Sequence, residues 1–262
     1  RRDRPEMRLL NDCLLAIGIG FVTLAVPLAL DVSWTSGVWA LEGAGAFWVG
    51  ARQARWVPRG FGLALQAIAA VLTLSQAHPA LSALPLANGG FLQPLLVAIP
   101  MIFTAWLMRN PLEHSGSGLA KGFALVETGL RQVWFLSGFA FVCLAIGLEA
   151  LRMTPGMREG EVAALSPHMQ LYAFLIAVLG AMAVGDAFGR LKDWSVARWP
   201  GMLSLPLMVL SLGVAIVGER HILYSPDVFC WVIAVGLHLW LLRQQAASIW
   251  THAMHAGGVL LA

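Results

Sequence analysis

Between Arg59 and Arg109 the chain contains no Asp, Glu, Lys or Arg. A stretch this long without charge cannot clothe a water-soluble fold, whose surface helices need a solvated polar face. It is long enough for two membrane helices and a turn, at about 20 apolar residues per crossing. The rest of the chain agrees: 58% of its residues are hydrophobic and 12% charged, about half the charge of an ordinary soluble domain. The apolar runs are greasy all round, which excludes a globular protein built on a buried core.

The sequence therefore predicts an all-α fold, a polytopic transmembrane helix bundle of about eight full spans plus a truncated ninth. The expected spans are residues 9–30, 37–50, 61–77, 91–108, 124–151, 171–188, 202–217 and 228–242, with a ninth beginning near Ile249. The first reads as a retained helix, because its apolar segment is long enough to span and lacks a small-residue cleavage site. Positive charge then sets direction. Arg1 to Arg8, Arg52, Arg55 and Arg59, Arg109 and Lys121, Arg190, Lys192 and Arg198, and finally Arg243 fall on alternate loops. Those loops, and the N-terminus, are expected on the cytoplasmic side. The span at 37–50 is short, yet the alternation needs it. Trp34, Trp56, Trp194 and Trp199 stand near expected boundaries, while Trp106, Trp134, Trp231 and Trp240 are deeper and read as packing.

The chain begins without Met and stops inside an apolar run, so residues 1–262 are expected to be one transmembrane region cut from a longer polypeptide. Internal echoes suggest four-helix repeats over 1–121 and 122–262. Phe21 to Val26 matches Phe141 to Ile146, and Arg55, Trp56, Pro58 and Gly60 match Arg198, Trp199, Pro200 and Gly201. Cys13, Cys143 and Cys230 show no paired or metal-type spacing and read as packed thiols.

Ionisable and amide groups within hydrocarbon are costly and mark candidate sites. Glu42 is foremost, beside the small residues Gly43, Ala44, Gly45 and Ala46, which let another backbone approach. With Asp31 and Trp34 it forms the candidate polar site, read either as a cation, proton or acid/base site or as a capping and hydrogen-bonding arrangement. Secondary polar positions are Gln66, Glu127, Arg131, Asp186 and His238. Glu127 with Arg131, and Asp186 with Arg190, have the i, i+4 spacing of local ion pairs. Gln66, Asn88 and Gln93, with Pro27, Pro100 and Pro206, suit a polar pathway, since prolines free backbone carbonyls that need partners. His252 and His255 lack further ligands nearby, so no metal site is expected. No catalytic residues are assigned: phosphate-binding loop, nucleophile elbow and HExxH are all missing from the sequence.

Leu28 to Asp31, Trp34, Trp39 to Ala44, Trp48, Gly50 and Arg52 form a connected pattern that continues through Arg59, Gly60, Leu63, Leu65, Gln66 and Ala69 to Asn88, Gly89, Gly90 and Phe91. Over residues 16–93 this resembles the bacterial predicted membrane protein family known as domain of unknown function 2339. The resemblance implies a large many-helix protein of the bacterial cytoplasmic (inner) membrane and implies no activity. The expected function is a non-enzymatic envelope protein, a transporter-like or scaffold bundle. A membrane enzyme acting on a lipid-linked sugar or acyl substrate, and a subunit that binds partner helices, are the alternatives. Expected partners are membrane lipids, other membrane helices or the remainder of the same chain. Nucleic acid and cofactors are not expected.

Overall fold

The computed structural model describes residues 32–79, 84–110, 112, 118–153, 167–217 and 227–244, together with Gly18. Among these, all the regular elements are helical: α1 (Val32–Arg52), α2 (Trp56–Ser75), α3 (Gly89–Leu107), α4 (Gly118–Arg152), α5 (Pro167–Leu191), a 3₁₀ helix (Ser195–Leu203), α6 (Ser204–Val217) and α7 (Asp227–Gln244).

Five segments are long and apolar enough to cross a membrane: Trp56–Ser75, Gly89–Leu107, Ala120–Arg152, Met169–Leu191 and Ser195–Val217. The expected eight spans and a ninth are not supported. The first and ninth lie outside the described residues. The segment at 37–50 does form a helix, but Glu42, three tryptophans and four glycines dilute the apolarity of Val32–Arg52. The eighth is an apolar helix, Val228–Gln244, shorter than the five. At about 1.5 Å per residue it falls short of a hydrocarbon core about 30 Å thick.

Helix ends explain some of the boundaries. At the end of α1, Ala54 has φ 53°, Arg55 N–H donates to Gly50 O at 3.0 Å and Ala54 N–H to Ala51 O at 3.4 Å. This pair of bonds is a Schellman closure, with alanine where glycine is usual. The end of α5 repeats it: Asp193 has φ 51°, and Trp194 and Asp193 donate to Gly189 O and Arg190 O at 2.7 and 3.3 Å. Asn88 caps α3, its Oδ1 accepting from Phe91 N–H at 3.0 Å.

The chain divides into two compact units, Arg1–Ala77 with Gln93–Thr128, and His78–Leu92 with Gly129–Ala262. In the first, α1 and α2 run antiparallel with their backbones in contact. A Cβ on Gly43 would stand 2.6 Å from Gly62 O, and one on Gly50 2.9 Å from Arg59 N. The small-residue face expected of α1 is thus used by α2. In the second unit, α5 buries Tyr172, Leu175, Leu179 and Met182 against Met208 of α6 and Trp231, Ala234 and Leu241 of α7. Tyr172 and Trp231 meet edge to face at 6.5 Å. Trp194, expected near the headgroups, is instead interior, against Phe135 and Phe188 at 4.8 and 6.3 Å.

Candidate functional site

Lipid outside a bundle is as apolar as leucine within it, so what distinguishes a membrane interior is its small and polar residues. On α2, Arg59, Gly62, Gln66, Ala69 and Thr73 are buried, while Ile68, Val71 and Leu74 are exposed. The buried set advances by three and four residues, one face of a helix. Within it, Arg59, Gln66 and Thr73 recur every seventh residue, forming a polar file about 21 Å long at about 1.5 Å per residue.

The first two levels of this file meet other helices of the same unit. At the first, Arg59 Nη1 donates to Glu127 of α4, at 3.3 Å to Oε1 and 3.1 Å to Oε2. The guanidinium is wholly inaccessible. Its Nε donates to Arg55 O at 3.3 Å, and its Cζ lies 6.0 Å from the Phe123 ring. At the second level Gln66 Nε2 reaches Thr104 Oγ1 at 2.8 Å, Pro100 O at 3.4 Å and Ala40 O at 3.5 Å. One amide thereby ties α1, α2 and α3 beside a proline that interrupts α3. At the far end Gln93 Nε2 donates to Ser36 Oγ at 3.3 Å. The antiparallel register that faces Gly43 to Gly62 sets Ser36 opposite Ala69, one turn short of Thr73. Thr73 Oγ1 is buried with no hydrogen-bond partner among the described residues.

The residues expected to form the outer site are described only in part. Asp31 lies outside the described residues. Trp34 is exposed and Glu42 half-buried, eight residues apart on α1, about 12 Å along its axis. Glu42 Oε2 is inaccessible and has no hydrogen-bond partner among the described residues. Glu127 and Arg131 share α4, with Glu127 held by Arg59.

The second unit has its own polar ties. Asp186 is buried and continues the inward stripe of α5 by one turn beyond Met182. Its carboxylate accepts a hydrogen bond from Arg198 Nε on Oδ1 at 3.2 Å and forms an ion pair with Arg190, Nη2 to Oδ2 3.3 Å. His238 of α7 is buried, its Nδ1 2.9 Å from Ser204 Oγ. Glu149, not singled out by the sequence, binds Arg152 Nη2 at 2.6 Å, Asn88 Nδ2 at 2.8 Å and Leu86 N–H at 3.2 Å. It fixes the segment before α3, which gives Asn88 a second task besides its cap. Cys143 and Cys230 are half-buried and form no disulfide among the described residues; Cys13, His252 and His255 lie outside the described residues. Among the described residues no three His, Cys, Asp or Glu side chains converge.

Apolar helices long enough to span, with polar residues turned inward and hydrocarbon side chains outward, define a helical integral membrane protein. The family model described as "Predicted membrane protein (DUF2339)" matches residues 1–262. The chain belongs to that family, and the resemblance carried by residues 16–93 extends over its whole length. No curated protein and no solved structure gives a significant match.

Proposed function

We propose that the chain is a non-enzymatic, multi-pass protein of the bacterial cytoplasmic membrane, transporter-like in build, whose first unit passes a small polar solute or a proton along the file Arg59, Gln66 and Thr73. The observation that carries this reading is the file itself: three buried polar side chains at seven-residue spacing on one apolar span. Polar groups in hydrocarbon cost free energy unless a pathway or a neighbour needs them. A proline-interrupted helix beside the central amide supplies backbone carbonyls of the kind that line such pathways. The alternation of positive loops supports an N-terminus on the cytoplasmic side.

A scaffold is the second reading, favoured by the fact that Arg59, Gln66 and Gln93 are each satisfied by another helix. Proteoliposomes containing the whole protein separate the two. They are challenged in turn with urea, glycerol and an acid pulse, followed by light scattering and an entrapped pH dye. Transport predicts faster entry of at least one of these than into empty vesicles, and its loss in Gln66→Leu. Equal rates in all three preparations favour the scaffold.

A further inference from the structure

The carboxylate of Asp186 is shared by two guanidiniums, which leaves an excess positive charge fixed at one end of the second unit. Both arginines are held in place by further contacts. Arg198 Nη2 donates to Gln244 O at the end of α7, at 2.8 Å. Its stem crosses α5 at Gly189, where a Cβ would stand 2.7 Å from Arg198 Cγ and 2.8 Å from Trp194 O. Arg190 stacks on Trp240, its Cζ 5.0 Å from the ring centroid. Its Nη1 is inaccessible and has no hydrogen-bond partner among the described residues. The two side chains are nonetheless 29% and 31% accessible, and Lys192 and Arg243 are exposed at the same helix ends. Among the described residues, Asp186, already engaged, and exposed Asp193 stand against these four cations. Exposed Leu191, Trp199, Met202 and Leu203 put apolar surface beside the charge, as at the edge of a hydrocarbon layer.

Pre-positioned guanidiniums with charge in excess suit a phosphate, which accepts several of their hydrogen bonds at once. At a membrane edge, basic pockets between helices take anionic headgroups. We propose that the Arg190 and Arg198 cradle, with Lys192 and Arg243, binds a phosphate group, that of an anionic phospholipid whose acyl chains lie on the adjoining apolar surface.

The test uses the whole protein in detergent and a fluorescent phosphatidylglycerol, displaced by unlabelled phosphatidylglycerol, phosphatidylcholine or inorganic phosphate. Phosphatidylglycerol is expected to displace the probe well below the concentration at which phosphatidylcholine does. Arg190→Gln, which leaves Asp186 paired with Arg198, is expected to weaken binding about five-fold, the effect of one cation at such a surface. Arg52→Gln in the other unit is expected to leave it unchanged. Equal displacement by both lipids, or an equal loss in Arg52→Gln, would overturn the cradle. Displacement by inorganic phosphate as readily as by phosphatidylglycerol would overturn the lipid and assign the same chemistry to soluble phosphate. The preference of the unaltered protein decides the question even if a variant fails to fold.

Discussion

Arg59→Leu is expected to lower stability by about 3–5 kcal/mol, the cost of breaking a buried ion pair by removing one partner. Glu127 is the group left behind. It is buried, and the Arg59 guanidinium donates to both of its oxygens. Arg59→Leu combined with Glu127→Leu removes both charges together and is expected to restore most of the loss, since well-packed apolar replacements of buried pairs are often neutral. Thermal unfolding of the four proteins in one detergent gives the coupling directly. A double variant as unstable as Arg59→Leu would mean that the arginine acts through its stem on Phe123 and its bond to Arg55 O rather than through its charge.

The second large effect is steric. At Gly62 an added Cβ would strike Gly43 O and stand 2.8 Å from Phe47 N, all of it backbone. Neither helix can yield as a flexible side chain would. Gly62→Ala is therefore expected to cost at least the 1–3 kcal/mol or so of an overpacked core, and Gly62→Leu to prevent α1 and α2 from pairing. Gly45 is the control, because a Cβ there meets nothing within 4 Å. Gly45→Ala should leave the melting temperature unchanged or raise it slightly, as alanine is the better helix former. Equal losses at Gly45 and Gly62 would contradict close approach as the source of the cost, since propensity alone favours alanine at both positions.

These two cases also show what a membrane sequence discloses. Helix class and lipid solvent follow from the charge-free stretch at residues 60–108, because nothing but a closed backbone hydrogen-bond pattern survives in hydrocarbon. The number of spans does not follow, since residues 32–52 and 227–244 are helices whose apolarity or length falls short of the five. Buried polar groups are legible where they keep step with a stripe. Gln66 falls seven residues from both Arg59 and Thr73, and Asp186 four from Met182. Partners across the bundle are not legible. Glu127 has Arg131 nearby in sequence, but that Arg59, 68 residues away, also holds it is a pairing set by which helices pack. Glu149 looks like an ordinary helix-end carboxylate until Asn88, 61 residues distant, is seen to donate to it. The small residues after Glu42 do mark a close approach, but its point of contact is Gly43. Successive residues turn about 100° at about 3.6 per turn, so the Glu42 side chain lies to one side of that contact.

The most direct test of the polar file is its accessibility to water. In a protein whose Cys13, Cys143 and Cys230 have been replaced, Thr73→Cys and Thr104→Cys are treated in membranes with a small, charged, water-soluble thiol reagent, with Val71→Cys on the exposed face of the same helix as the lipid control. A pathway predicts that the two interior cysteines react while Cys at 71 stays protected by lipid. Unreactive cysteines at both interior positions, in a protein that folds, would contradict the pathway and leave these polar side chains as ties between helices.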